Sequence, residues 1–230
     1  MQTTHYEHPP ELAAWQARLA ALAAAALAEQ GADGAHDLNH FERVWRNAQA
    51  LLAHYPQADA LVVLAACYLH DLVNVPKDDP RRSIASRLSA ERADVALATL
   101  GFPADRLAAV AHAIEAHSFS AAVPATTLEA RIVQDADRLD GLGLVGLARM
   151  FYIAGRMGSG LAHGDDPLAH ERPLDDKAYA LDHIETKLAR LPAMMQTAAG
   201  RTLAEARLAA LTDFRSAFAL EWSAMPQVSA

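Results

Sequence analysis

A chain of 230 residues that is 52% apolar and carries a formal net charge of −8 has material for one large hydrophobic core or two small ones. The acidic balance excludes a general nucleic-acid binder, which needs a basic stripe against phosphates; a small phosphorylated ligand held by a few local cations is still compatible with it. Cys67 is the only cysteine, so no intrachain disulfide can form, as expected in a reducing compartment. Met1–Pro10 shows no basic region leading into an apolar stretch. The longest apolar runs, Leu19–Leu27 and Ala60–Leu69, are about half the roughly 20 residues of a spanning helix. The expectation is a cytoplasmic protein with no membrane partner.

Alanine- and leucine-rich stretches without β-branched alternation predict an all-α fold. In chain order the predicted helices are Pro10–Glu29, Asp37–Tyr55, Asp59–Leu72, Ser83–Leu100, Ala104–His117, one starting near Thr127, then Asp175–Leu191 and Leu203–Trp222. Glycine and proline punctuate the intervals, with Gly155–Pro173 as an irregular surface loop. The third helix is apolar on nearly every side, which predicts a central buried helix. No interval reads as a linker. The expected organisation is an N-terminal helix (residues 1–34) packed on one helical domain (35–222), followed by a flexible tail (223–230).

Four residues stand out. His70 and Asp71 close the most apolar helix, where a charged aspartate is costly without a partner. A bound metal would supply the compensating charge; a capping Asp71 beside a hydrogen-bonded core His70 is the other reading. His40 lies one turn before Val44, at the edge of the apolar face of the second helix. Asp137 stands in Gln134-Asp135-Ala136-Asp137-Arg138-Leu139-Asp140, four residues after Val133 and seven before Leu144, which would set it on an inward stripe; a solvated acidic face is the alternative. Two imidazoles and two carboxylates form a mixed N/O donor set suited to Mn, Fe, Ni, Co or Zn rather than Ca.

His40, His70-Asp71 and Asp137 in Ala-Asp-Arg-Leu resemble the H…HD…D signature of the HD-domain superfamily, and in particular its stand-alone bacterial, YedJ-like branch. Ala66–Asp71, His112–Ser120, Gln134–Gly141, Pro173–Lys177, Asp182-His183 and Lys187 carry the same likeness, which spans about Ala35 to Phe218. The resemblance implies a helical bundle of the HD type with a central metal site, in which His40, His70, Asp71 and Asp137 bind one divalent ion (Mn, Ni, Co, Fe, Zn or Mg). It also implies hydrolysis of a phosphoester of a small phosphorylated metabolite, often a nucleotide; metal-activated water is the expected nucleophile, and Asp71 could both bind the metal and orient or deprotonate that water.

Lys77, Arg81, Arg138 and Lys187 are candidate cations for the substrate's phosphate, and His183 is a candidate through the branch resemblance. Arg138 points about 100° away from Asp137 on a helix, so a structural ion pair competes with that role. Two features depart from the hydrolytic relatives. Asn74 stands where several of them carry an acid, and no histidine lies between Asp71 and His112 to complete a second metal site. One tight ion is therefore expected, with His112 and His117 as catalytic, substrate-binding or weak second-site residues. They lie about 140° apart on an ideal helix, so both face one cleft only if the helix unwinds near Ser118. Asn74 keeps open a metal-containing ligand sensor, and an HD-type di-iron oxygenase is the third reading.

Overall fold

A computed structural model describes residues 10–30, 37–73, 75 and 79–223. The fold is all-α. The helices are α1 (Pro10–Gln30), α2 (Leu38–Leu52), α3 (Ala60–Leu69), α4 (Ala85–Thr99), α5 (Leu107–His117), α6 (Leu128–Asp140), α7 (Gly143–Met157), α8 (His183–Thr186) and α9 (Ala198–Ser223), with short 3-10 turns between several of them. The chain forms two compact units. One runs to Arg138 and takes in Gln196–Gly200; the other comprises Leu139–Met195 and the chain from Arg201 onward.

In the first unit α3 is the core helix, buried at every residue from Leu61 to Leu69. Each large side chain there contributes about 1.5–3 kcal/mol on burial. Asp59 starts the helix by accepting from the amides of Leu61 and Val62 and is held in turn by Arg106 Nε at 2.6 Å. α1, α2 and α5 pack around it. α1 turns in Leu12, Trp15, Leu19, Ala23 and Ala26, a stripe with helical spacing. Trp15 meets Phe102 edge-on at 5.0 Å, and Gln16 donates to the Tyr68 hydroxyl, which donates to Glu42 Oε1 at 2.7 Å.

In the second unit an aromatic ladder joins α7 to α9: Phe151 contacts Phe214 at 5.9 Å, Phe214 meets Phe218 at 5.7 Å, and Phe218 stacks on Trp222 at 5.3 Å. Arg149 pairs with the buried Asp140 carboxylate. The buried Asp182 carboxylate takes both Arg172 amino groups, at 2.6 and 2.8 Å, and the Asp175 amide at 2.8 Å.

Four expectations are corrected. The helix starting near Thr127 ends at Asp140, and a separate helix begins at Gly143, whose φ of +70° is a conformation that glycine alone adopts without strain. Leu144 is 69% exposed, so it shares no inward stripe with Asp137. The predicted helix Asp175–Leu191 is a chain of single turns. There Asp175 Oδ1 accepts from the amides of Lys177 and Ala178, and such side-chain bonds compete with helix propagation. The last helix starts at Ala198 rather than Leu203 because Thr197 caps it, its hydroxyl accepting from the Gly200 amide at 3.0 Å. Among the described residues no helix is long and apolar enough to cross a membrane.

Candidate metal centre

Asp37 begins α2 by accepting from the His40 amide at 3.0 Å, which sets His40 in the first turn with its side chain buried. α3 ends at Leu69, so the predicted His-Asp pair falls just past the helix rather than within it. His70 is fully buried, and its Nδ1–H donates to the Cys67 carbonyl at 3.0 Å. This fixes the tautomer and leaves Nε2 as a lone-pair donor. His70 Nε2 lies 3.2 Å from His40 Nε2. Asp137 on α6 sets Oδ1 at 3.5 Å from His40 Nε2 and 3.7 Å from the His70 nitrogen. The edge of Phe41 closes the far side of His70, with ring centroids 5.3 Å apart.

A second triad shares His70. Asp71 Oδ2 lies 3.7 Å from His70 Nε2, and Asp71 Oδ1 lies 3.5 Å from His117 Nε2. His117, the last residue of α5, donates Nδ1–H to the Ile114 carbonyl at 2.6 Å, so its Nε2 is also left facing the cluster. The groups His40–His70–Asp137 and His70–Asp71–His117 each hold their ligand atoms within 4.8 Å of one another. Burial depresses the pKa of His70 to about 4 against the pull of Asp71. At His117 burial acts the same way, but the hydrogen bond and charge of Asp71 outweigh it and the net shift is upward. Imidazole nitrogens facing two carboxylates, with the His70 Nε2 lone pair free, form a mixed N/O donor set that fits a divalent ion.

Among the other sequence candidates, His112 and Arg81 are engaged with other partners. α5 stays regular through His117, so His112 points elsewhere and its Nε2 accepts from the Thr126 amide and hydroxyl, the latter at 2.9 Å. Arg81 forms a fork with Asp79, at 3.1 and 2.8 Å. Arg138 is half-buried; burial lowers its pKa, while Asp135 and Asp137 oppose that shift. His183 and Lys187 belong to the second unit, where His183 Nδ1 bonds to Asp176 Oδ2 at 2.8 Å. Lys77 and Asn74 lie outside the described residues.

The sequence pattern of the HD domain matches residues 37–142, the span that carries all four motif residues and His117. YpgQ of Bacillus subtilis (strain 168) is 36% identical over 176 residues, which is 75% of this chain and 77% of that protein. This chain belongs to the HD-domain family. HD proteins of known structure share its architecture. The crystal structure of B. subtilis YpgQ in complex with ADP superposes with a TM-score of 0.70 at 29% identity, covering 95% of this chain and 99% of that one. An HD-superfamily hydrolase of Bacillus thuringiensis gives 0.71 at 25% identity, covering 93% and 100%. A predicted HD-superfamily hydrolase from an uncultured Thermotogales bacterium gives 0.59 at 26%, covering 90% and 92%.

Sequence reasoning passed over several residues that bond to the segments bearing the site. Asn47 is a buried amide seven residues after His40, on a stripe otherwise made of Phe41, Val44 and Leu51; that polar intrusion was the available signal. The carbonyls of Cys67 and Ile114 carry no side-chain signature and were not detectable in this way.

Proposed function

We propose that this HD protein is a metal-dependent phosphohydrolase that cleaves a phosphoester of a small phosphorylated metabolite, with a nucleotide as the leading candidate, in the cytoplasm. The observation that carries this reading is the convergence of His40 Nε2, His70 Nε2 and Asp137 Oδ1 within 3.7 Å of one another, with the His70 tautomer fixed behind them. The ADP complex of YpgQ supports a nucleotide as the ligand class.

His40, His70, Asp71 and Asp137 would hold the ion. A divalent ion in such a site supplies Lewis acidity toward a phosphoryl oxygen and acidifies water toward neutrality. Asp71, 30% exposed, has one oxygen toward His70 and the other toward His117. From there it can orient water and hold the His117 ring. His117 Nε2 then stands ready to take a proton from the nucleophile or to give one to the leaving oxygen, a general acid–base role.

Metal analysis of the purified protein, followed by phosphate release from a panel of nucleotides and sugar phosphates with Mn, Co, Ni, Mg and Zn, tests this reading. The expected result is bound divalent metal and turnover of at least one nucleotide, both lost in His70→Ala and Asp137→Ala. Metal binding with no phosphate release from any member of the panel would overturn the hydrolase assignment and favour the sensor.

A further inference from the structure

Three consecutive residues of α6, immediately before Asp137, each make a long-range polar bond. Gln134 Nε2 donates to the Ala116 carbonyl at 2.6 Å, directly before His117. Asp135 is fully buried; its carboxylate accepts from the amides of Gln196 and Thr197, both at 2.8 Å, and from the Thr197 hydroxyl at 2.7 Å. The Ala136 carbonyl accepts from Asn47 Nδ2 at 3.0 Å, two turns along α2 from His40. Side chains at 134 and 135 leave a helix about 100° apart. With the Asn47 bond they stop α6 from both rotating about its axis and sliding along it. Gly200 packs against the Asp135 carboxylate so closely that a β-carbon there would collide with it.

We propose that Asn47, Gln134 and Asp135 are positioning residues for the metal centre. Asn47 and Gln134 tie α6 to the helices bearing His40 and His117, Asp135 ties it to Gln196 and Thr197, and together they set where the Asp137 carboxylate stands relative to His40 and His70. The inference rests on the reading of those residues as metal ligands. A functional constellation needs its side chains held within about 0.5 Å, and a carboxylate on one helix facing imidazoles from two others has no covalent link to enforce that. The cost of the arrangement supports the assignment. Gln134 is buried, yet among the described residues its Oε1 has no hydrogen-bond partner, and such a group is destabilising where an apolar side chain would not be. Its presence there is explained by what its amide nitrogen fixes.

The test uses the full-length chain and Co(II), whose visible spectrum reports ligand geometry. Gln134→Met removes the tether and the unpartnered oxygen together, so the thermal midpoint of the metal-free protein stays close to wild type while the cobalt Kd weakens by about 10–100-fold and the visible bands change. Asn47→Leu weakens cobalt in the same way, and Gly200→Ala does so by displacing Asp135 without removing any polar group. Wild-type cobalt affinity and spectrum in folded Gln134→Met and Gly200→Ala would overturn the proposal while leaving the metal centre standing. Wild-type protein that binds no cobalt would overturn the metal centre itself, and this proposal with it. If Asn47→Leu fails to fold, the other two variants decide.

Discussion

The carbonyls of Cys67 and Ile114 do the same job for different histidines. Each takes the Nδ1–H of the imidazole three residues later, so both His70 and His117 turn Nε2 toward the cluster. The resemblance to the H…HD…D signature made His40, His70 and Asp137 legible as neighbours; apolar context alone left a hydrogen-bonded core His70 and a solvated Asp137 open. His112 and His117 were not separable by type, only by angle; the regular end of α5 turns one inward and the other toward Thr126. Arg81 could not be judged from the sequence because its fork to Asp79 depends on a loop geometry that residue type does not encode. Cys67 itself is buried, and burial, with the Asp137 charge second, pushes its thiol pKa well above the usual range. The native protein should therefore leave an aromatic disulfide reagent unreacted at pH 8 and release about one thiol equivalent only after denaturation. Rapid native labelling would mean that α3 opens far more readily than its packing implies.

At the level of elements, helix identity was readable wherever a stripe of apolar residues ran uninterrupted, as in α1, α2 and α3. It was unreadable where side chains outbid the helix ladder, as around Asp175 and Asp182, and at Gly141–Gly143, where a glycine-rich step looked like continuing helix. The two glycines near the end of α7 give a paired prediction. Gly155 is helical with open space around its Cα, whereas Gly158 caps the helix at φ +76°. Gly155→Ala should raise stability by about 0.5–1 kcal/mol, and Gly158→Ala should lower it by about 1–2 kcal/mol, both measured by urea denaturation. Equal effects of the two would contradict the helix end assigned here.

Across the whole molecule, composition and periodicity disclosed the all-α class, but the division into two compact units at Arg138 left no mark, because α6 runs through it with neither linker nor change in composition. A metal that binds only the folded chain adds stability by mass action, about 2.7 kcal/mol at a hundred times its Kd. The thermal midpoint should therefore rise with added Mn or Co, and a chelator should reverse the gain; no such response in His70→Ala would trace it to this centre. The ends of α3 and α5 carry one more consequence. Both helices bring their carbonyl termini to the Asp71–Asp137 cluster, adding two partial negative charges to two carboxylates. Before a cation binds, the field there opposes any phosphate; a divalent ion cancels the charge of the two carboxylates and removes most of that repulsion. If the centre acts on a phosphorylated substrate as proposed, the order is metal first and substrate second, visible as initial-velocity patterns in which saturating substrate cannot substitute for metal.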